Sequence, residues 1–360
     1  MALTAHSNWA LLREQADLFR PAYVGIVNGN GGGGGAVGAG DLRVAPAGEV
    51  RRGQGTDCLV EAATRPDVQI VVNGIVGAAG LEATLAALEC GKRVALANKE
   101  TLVMAGELVS AAARRGGGEI VPVDSEHSAV LQCLAGRRPA ELARLILTAS
   151  GGPFRTWTPE RAAGASPQEA LRHPTWRMGK KITVDSATLV NKALEVIEAH
   201  FLFDVAYDQV EVVVHPQSLV HAFVEFVDGS VLAQVGFPNM ELPILYALTH
   251  PARVSDTGTR RFDPLAAEAL TFEPVRPELY PAYRLGRTAA EAGGTAPAAF
   301  NAANEVAVQL FLEGAIRFGR IAEVIDAVLA SHQAADARSL DAVLAADADA
   351  RARAREAACS

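Results

Sequence analysis

Short β-branched runs alternate with amphipathic stretches along the first third of the chain. Residues 2 to about 123 contain, in order, "WALLREQADLF", "AYVGIV", "TDCLVEAATRPD", "VQIVVNGIVG", "LEATLAALECG" and "RVALAN". Strands and helices that take turns in this way predict a parallel sheet with helices on both faces. Glycine closes "LEATLAALECG" and "ELVSAAARRGG", as is usual where helices end.

The pattern changes beyond residue 140. "ARLILTAS", "VEVVVHPQS", "HAFVEFV" and "SVLAQVGF" read as strands bordering one central helix, which indicates an α+β domain. Proline and charged residues dominate 251–275, and the remainder reads as helical, with "NAANEVAVQLFLEGA" as its clearest member. We therefore divide the chain into an α/β domain at 1–123, a central domain at 124–250, a linker at 251–275 and a helical domain at 276–360.

Composition narrows the class of protein. Hydrophobic residues make up 49% of the chain, yet no run of about 18 apolar residues lacks a polar break, so we expect a soluble protein without a spanning helix. The N-terminus shows no secretory signal, and the four cysteines lack C-x-x-C pairing, which suits the cytoplasm and argues against a cysteine metal site. The net charge of −8 disfavours nucleic acid as a partner.

A glycine-rich stretch, "VNGNGGGGGAVGAG", follows the run "AYVGIV". Its Gly29, Gly31 and Gly34 match the G-x-G-x-x-G spacing of dinucleotide-binding turns. That motif also needs a helix that opens on the glycines, and the following "GDLRVAPAGEVRRGQG" lacks helical apolar spacing. We interpret the stretch as a flexible loop rather than a phosphate site.

The segment "GEIVPVDSEHSAV" carries the first candidate chemistry. Side chains alternate along a strand, so Asp124 and Glu126 can point the same way at the carboxyl end of a buried strand. Two close carboxylates repel each other unless a cation separates them, which favours a divalent metal. The alternative is a solvated corner in which Asp124 or Ser125 caps the next helix.

The segment "VDSATLVNKALEVIEAHFLF" predicts an amphipathic helix. One side carries the apolar residues Val190, Ala193, Leu194 and Ile197. The other side groups Asn191, Lys192 and Glu195 through i, i+3 and i, i+4 spacings. The start of the helix, near Ser186, could receive a phosphate, whereas the alternative is a water-facing stripe with a Lys192–Glu195 pair.

Three further segments offer ligand-binding groups. "LRHPTWRMGKKITVDS" mixes Trp176 and Met178 with basic residues, which suggests either a lid over a ligand or a packed surface tryptophan. In "LANKETLV", the residues 98–100 lie at a strand end, where α/β sheets bind ligands. In "TASGGPF", Ser150 precedes two glycines whose amides suit an anion. Ordinary caps and turns also explain the last two segments.

The ordered set "IVGAAGL", "LANKE", "PVDSEH", "SGGPF", "RHPTWRMGKKITVDSATLVNKALEVIEA", "HPQS", "DGSVLAQ" and "NAANE" closely resembles the 1-deoxy-D-xylulose 5-phosphate reductoisomerase family. The resemblance implies an α/β fold with a Rossmann-like N-terminal domain, an α+β central catalytic domain and a C-terminal helical bundle. It also implies NADPH and Mg²⁺ or Mn²⁺ as cofactors, and a homodimer. The implied reaction rearranges and reduces the sugar phosphate to 2-C-methyl-D-erythritol 4-phosphate in isoprenoid precursor synthesis.

The resemblance also assigns roles to individual residues. The implied metal ligands are Asp124, Glu126 and Glu195. The implied catalytic residues are Lys99, Glu126 and Glu195. Contacts to substrate oxygens fall to Lys99, Ser125, Glu126 and Glu195, and contacts to the phosphate to Ser150, His173, Ser186, Asn191 and Lys192. Trp176 and Met178 would lie on the closing loop, and the implied cofactor contacts are Asn8, Asn98, Glu100 and Gly179.

The chain departs from the family at its start. Family members open with a strand and a glycine-rich phosphate turn of the type "GSTGSIG", whereas "MALTAHSN" resembles the family's second strand. The first strand belongs in mid-sheet, where its loss would leave neighbouring backbone groups unpaired. We therefore expect a longer natural protein with its phosphate turn upstream of Met1. The alternative is a catalytically impaired or non-catalytic homologue that binds sugar phosphate.

Overall fold

The computed structural model describes residues 1–28, 51–256 and 258–359. These residues form two compact units, one from 1–101 with 109–120 and the other from 102–108 with 121–360. The predicted glycine loop around Gly31 lies outside the described residues. The four-part division made from the sequence stays a prediction.

The first unit alternates strands and helices, as the sequence predicts. Its strands are β1 (Ala2–Ala5), β2 (Tyr23–Ile26), β3 (Arg51–Gln54), β4 (Ile70–Asn73), β5 (Arg93–Leu96) and β6 (Glu119–Pro122). Its helices are α1 (Trp9–Phe19), α2 (Asp57–Thr64), α3 (Leu81–Glu89) and α4 (Lys99–Gly116), of which α4 also contributes to the second unit. The pairs β1–β2, β2–β3 and β4–β5 are parallel.

The strands form two sheets of three, in the orders β1-β2-β3 and β4-β5-β6, rather than one. A cavity of about 570 Å³ lies between β1 and β4 and is lined by residues 1–4 and 67–73. Because paired strands lie only about 4.8 Å apart, a cavity of this size prevents hydrogen bonds between β1 and β4.

The second unit contains a mixed five-stranded sheet. Its strands are β7 (Leu142–Ala149), β8 (Val210–Val214), β9 (Val220–Phe226), β10 (Val231–Val235) and β11 (Glu273–Pro274), in the order β10-β9-β7-β8-β11. The pair β7–β8 is parallel, and the pairs β7–β9, β9–β10 and β8–β11 are antiparallel. The four strands predicted from the sequence are therefore present, and the two-residue β11 joins them at one edge.

Two groups of helices surround this sheet. Those that carry the polar motifs and their neighbours are α5 (Ser125–Leu134), α6 (Pro159–Ala163), α7 (Pro167–Ala170), α8 (Lys180–Ala187), α9 (Val190–Phe203) and α10 (Glu241–Thr249). The C-terminal helices are α11 (Pro281–Ala292), α12 (Ala296–Leu312), α13 (Arg320–Ser331) and α14 (Leu340–Cys359). Helix α12 is almost entirely buried, so it is the central helix of this group.

One glycine sets a close approach between these helices. A Cβ at Gly286 of α11 would lie 2.5 Å from the Cβ of Ala193 on α9 and 2.7 Å from the ring of Phe300 on α12. Real Cβ atoms do not approach this closely, so glycine lets the three helices pack together. Helix α9 carries the predicted polar face, and its position therefore depends on this contact.

No helix in the described part of the chain combines the length and the apolar character that crossing a membrane requires.

Candidate active site

Asp124 and Glu126 meet at the start of α5, not along a strand. Strand β6 ends at Pro122, and Asp124 is the N-cap of α5, where its Oδ1 accepts a hydrogen bond from the backbone N–H of Glu126 at 3.2 Å. The expected strand alternation is thus wrong for this pair, because the chain turns into a helix at Ser125. The first helical turn brings the carboxylates together, and the capping alternative is confirmed as well.

Glu195 of α9 completes a cluster of three carboxylates. Oxygen atoms of Asp124, Glu126 and Glu195 all lie within 4.8 Å of one another. The ammonium of Lys192 lies between two of them, 2.8 Å from Glu126 Oε1 and 2.5 Å from Glu195 Oε2. The three carboxylates supply hard oxygen ligands, and two of them already bind the positive charge of Lys192. Such a set of ligands fits Mg²⁺ or Mn²⁺.

The polar face of α9 is buried rather than exposed to water. Lys192 is 3% exposed and Glu195 is fully buried. Burial opposes the charge on Lys192, but the nearby carboxylates of Glu126 and Glu195 outweigh it and raise the pKa of the ammonium above its ordinary value. Asn191 donates to Glu195 Oε1 at 2.5 Å. The alternative of a water-facing stripe is therefore wrong.

His127 supports the cluster from behind. Its Nε2 donates to the backbone carbonyl of Glu195 at 2.9 Å, and its Nδ1 lies 3.4 Å from Asp124 Oδ1 and 3.6 Å from Glu198 Oε2. Burial alone would lower the pKa of this imidazole, but Glu198 and Asp124 raise it to about 9. Sequence reasoning assigned no role to His127 or Glu198; the recurrence of Glu198 one turn after Glu195 was the available signal.

A second polar group joins three of the residues predicted to bind phosphate. His173 Nε2 lies 3.0 Å from Ser150 Oγ and 3.1 Å from Ser186 Oγ. Its Nδ1 accepts from the backbone N–H groups of Thr175 and Trp176, so the ring hydrogen is on Nε2. Burial lowers the pKa of His173 to about 4, so the ring is neutral. Two hydroxyls and a ring N–H thus offer donors to an anion, whereas Asn191 and Lys192 bind the carboxylate cluster instead.

The glycines after Ser150 let this segment approach α8. Gly151 and Gly152 have φ angles of 80° and 64°, a conformation that favours glycine. A Cβ at Gly152 would lie 2.8 Å from the carbonyl oxygen of Ser186. The backbone N–H of Gly152 donates to Ser150 Oγ at 3.2 Å, which fixes the hydroxyl beside His173.

The predicted lid residues lie on the segment that leads into α8. Trp176 and Met178 are half-buried, and Gly179 is the N-cap of α8. The Trp176 ring lies 6.4 Å from the ring of His221, which is buried on β9 and was not singled out from the sequence. Because His173 accepts hydrogen bonds from the backbone of Thr175 and Trp176, the Ser150–His173–Ser186 group and the segment predicted to form a lid are directly connected.

The remaining predicted residues lie in the first unit, at the ends of strands. Asn8 follows β1 and caps α1, where its Oδ1 accepts from the backbone N–H of Leu11 at 3.1 Å. Asn98 follows β5 and caps α4, accepting from Thr101 N–H at 2.7 Å. Lys99 and Glu100 open α4 and are buried. The carboxyl ends of parallel strands are where sheets of this type bind ligands.

A parallel α/β unit in the same chain as a carboxylate cluster that fits a divalent metal defines the class of α/β proteins with a candidate metal-dependent active site. Family models then give the particular family. A model of 1-deoxy-D-xylulose 5-phosphate reductoisomerase matches residues 1–106, and a model of the C-terminal domain of that enzyme matches 120–203. A model of the DXP reductoisomerase C-terminal domain matches 235–353. The chain belongs to the 1-deoxy-D-xylulose 5-phosphate reductoisomerase family.

Individual relatives agree with the family models. The reductoisomerase of Symbiobacterium thermophilum is 49% identical over 358 residues, covering 99% of this chain and 91% of the relative. That of Heliobacterium modesticaldum is 50% identical over 361 residues, covering 99% and 89%. Membership confirms the family predicted from the sequence and its oxidoreductase class.

Solved structures show the same fold. The Zymomonas mobilis enzyme in complex with NADPH has a TM-score of 0.90 at 40% identity, covering 100% of this chain and 92% of that one. A reductoisomerase in complex with NADPH, fosmidomycin and magnesium also has a TM-score of 0.90, at 37% identity and coverages of 99% and 91%. These matches confirm the predicted fold class, and they do not favour the non-catalytic alternative.

Proposed function

We propose that this chain converts 1-deoxy-D-xylulose 5-phosphate to 2-C-methyl-D-erythritol 4-phosphate with NADPH and Mg²⁺, in isoprenoid precursor synthesis. The observation that carries the proposal is the cluster of Asp124, Glu126 and Glu195 within the unit that also holds the Ser150–His173–Ser186 group. A generic dehydrogenase needs no such combination of metal ligands and phosphate donors. The rearrangement of a phosphorylated ketose needs both.

Asp124, Glu126 and Glu195 hold the metal, and the hard oxygen set accepts Mn²⁺ as well as Mg²⁺. When bound, the ion polarises adjacent carbonyl and hydroxyl oxygens of the substrate and stabilises negative charge on them. His127 keeps two of the ligands in place through its contacts with Asp124 and the Glu195 carbonyl. Such partners behind the ligands orient them for the metal.

The hydroxyls of Ser150 and Ser186 and the N–H of His173 bind the substrate phosphate, with Asn191 and Lys192 on the metal side. A neutral His173 donates one hydrogen bond without bringing a charge of its own. Phosphate binding also orders the segment of Trp176 and Met178, because His173 holds its backbone. Closure over the substrate excludes water from the reacting carbons.

Lys99 and Ser125 complete the substrate contacts at the reacting oxygens, and Lys99 joins Glu126 and Glu195 as the catalytic residues. NADPH contacts fall to Asn8, Asn98, Glu100 and Gly179. All four are caps or first-turn residues of helices, and Asn8 and Asn98 follow strands at the ligand-binding edge of their sheets. NADPH would supply the hydride for the reduction, and these residues would orient its nicotinamide.

The chain works as a homodimer in the cytoplasm. Edge strand β10 is exposed at Val231 and Leu232, and Met240, Ile244 and Leu248 form an exposed apolar stripe at the spacing of one helix face along α10. Exposed apolar stripes of this kind are typical of protein interfaces. The four cysteines are all free, which suits a reducing compartment.

The decisive test is Glu195→Gln. The amide keeps the shape of the side chain but removes one of the three negative ligands, so turnover should fall to background while the fold is retained. NADPH consumption with deoxyxylulose phosphate and Mg²⁺ measures the first effect, and circular dichroism the second. The Mg²⁺ dissociation constant, measured by calorimetry, should rise by more than the roughly tenfold that loss of an outer-shell partner costs.

Glu211→Gln is the matched control, because Glu211 is an exposed carboxylate on β8 that pairs with Arg144 at 2.6 Å. It should leave turnover and metal affinity unchanged. Unchanged turnover in Glu195→Gln would remove Glu195 from the ligand set. Wild-type protein that is inactive both as this chain and with its sequence extended upstream of Met1 would refute the proposed function.

A further inference from the structure

A buried hydrogen bond connects the C-terminal helices with the helix that carries Ser186. Asn304 of α12 donates through Nδ2 to Asp185 Oδ1 on α8 at 2.8 Å, across 119 residues of sequence. Asn304 is fully buried and Asp185 is 1% exposed. A carboxylate only accepts hydrogen bonds, so the amide nitrogen must face Asp185.

Asp185 has a second partner on its own helix. Its Oδ2 lies 2.9 Å from the ammonium of Lys181. The two oxygens of this carboxylate are thus divided between Lys181 on one side and Asn304 on the other. A buried charge held by two directed contacts has little freedom to move, so the end of α8 is fixed at this point.

The end of α8 is where the phosphate-binding donors meet. Ser186 follows Asp185 directly, its hydroxyl lies 3.1 Å from His173 Nε2, and its carbonyl borders Gly152. A shift of Asp185 therefore moves Ser186 relative to both His173 and Gly152. Displacing a binding group by about 1 Å is enough to lower the affinity and the reaction rate strongly.

We propose that Asn304 is a positioning residue for the substrate phosphate, acting through Asp185 to hold Ser186 beside His173. This assigns a role to the "NAANE" motif of α12, which lies in the helical part of the chain and supplies none of the ligands named above. The proposal rests on the proposed function, since it names the substrate group that the pocket binds.

The test is Asn304→Asp, which places a second carboxylate against Asp185. The KM for deoxyxylulose phosphate should rise about tenfold while kcat changes far less, because a ground-state contact is lost. The inhibition constant of inorganic phosphate, used as a competitive probe, should rise by the same factor. The Mg²⁺ dissociation constant should stay at its wild-type value, since the metal ligands lie on α5 and α9.

Asn301→Asp is the matched control. Asn301 is also fully buried on α12, but its Nδ2 donates to Glu305 Oε1 at 3.2 Å on the same helix. The substitution places a carboxylate against that of Glu305, which is partly buried and paired with Arg351, without involving α8. It should lower the thermal midpoint of unfolding in the same way as Asn304→Asp and leave the KM and the phosphate inhibition constant unchanged.

A rescue experiment exchanges the two side chains by combining Asp185→Asn with Asn304→Asp in one variant. The amide introduced on α8 can donate from Nδ2 to the carboxylate introduced on α12, and its oxygen can still accept from Lys181, so each position keeps a partner. The double variant should recover most of the lost phosphate affinity. If Asn304→Asp does not fold, Asn304→Ala against Asn301→Ala carries the same comparison.

The proposal is overturned if Asn304→Asp keeps the wild-type KM and phosphate inhibition, if Asn301→Asp raises both equally, or if the exchanged pair recovers nothing. Inactivity of the wild-type protein, both as this chain and extended upstream of Met1, would instead refute the proposed function, so the two failures are distinguishable.

Discussion

Two histidines of the second unit show how environment sets the chemistry of one residue type. His127 lies between carboxylates, and its pKa rises to about 9, whereas His173 faces hydroxyls and backbone N–H groups, and burial lowers its pKa to about 4. The carboxylates of Asp124 and Glu198 thus favour the protonated form of His127, whereas burial among the Ser150 and Ser186 hydroxyls favours the neutral form of His173. Asp124, three residues before His127, accounts for part of the rise, whereas the contact with Glu198 and the burial of His173 depend on tertiary packing.

The lowered pKa of His173 predicts how stability depends on pH. In the unfolded chain a histidine binds a proton near pH 6.5, but the folded His173 binds one only near pH 4. Between these values the unfolded state binds the extra proton, so the contribution of His173 to stability is complete above about pH 6.5 and is lost as the pH falls to about 4. His173→Gln should therefore show a smaller loss of urea-unfolding midpoint from about pH 7 to about pH 5 than the wild type.

His6→Gln is the control, because His6 is exposed after β1 and its replacement removes a histidine without disturbing a buried group. If the urea-unfolding midpoint falls equally between about pH 7 and about pH 5 in His173→Gln and in the wild type, the fold does not hold His173 neutral. The comparison is made without metal, so that protonation of the carboxylate cluster affects both proteins alike.

Single residues of the site could be predicted from the sequence when their motif was long. Asp124, Glu126 and Glu195 stand in blocks that match the family, and the structure brings their oxygens together. Glu198 and Asn304 also stand in matching blocks, but their contacts could not be predicted, because these contacts depend on which helix packs against which. Their partners, His127 and Asp185, lie 71 and 119 residues away along the chain.

At the scale of elements, local pattern predicts helices and strands better than it predicts their pairing. The apolar residues of α9 and the four main strands of the second sheet follow their predicted periodicity. The sequence predicts that β6 ends later than it does, because an aspartate at a helix N-cap cannot be distinguished from one at a strand end by sequence alone. Which strands pair depends on residues that are far apart in the sequence. The sequence predicts one sheet in the first unit, but the structure has two, because β1 and β4 do not pair.

The contact at Gly286 predicts a stability effect that belongs to helix packing. In Gly286→Ala the new Cβ would overlap Ala193 on α9 and Phe300 on α12, so the helices must separate. We expect a loss of about 1–3 kcal/mol in the free energy of unfolding, net of the higher helix propensity of alanine. Denaturant titration measures the loss, and because α9 carries Glu195, Mg²⁺ affinity should fall as well.

Gly164→Ala is the matched control, since a Cβ at Gly164 meets no atom closer than 3.7 Å and the residue has a φ of −91°. It should leave the unfolding midpoint unchanged. If Gly286→Ala is as stable as Gly164→Ala, the close packing of α11 on α9 and α12 is not a constraint on the protein.

At the scale of the whole molecule, the sheet order of the second unit decides which apolar residues stay uncovered. The order β10-β9-β7-β8-β11 leaves β10 at an edge, next in sequence to α10. Val231 and Leu232 are 48% and 39% exposed, and Ile244 and Leu248 are each 39% exposed. An edge strand with apolar residues invites pairing with another chain unless something covers it. A second copy of this chain covers it in the proposed homodimer.

That assembly is testable with Ile244→Glu and Leu248→Glu combined. In a two-fold interface each substitution occurs twice, so four carboxylates would lose water without gaining partners, at a cost of several kcal/mol. Light scattering after size exclusion should give a dimer mass for the wild type and a monomer mass for the double variant, with retained circular dichroism. Leu18→Glu, at a position 71% exposed on α1 of the first unit, should stay dimeric. A dimer that persists in the double variant would exclude the α10 stripe as the interface.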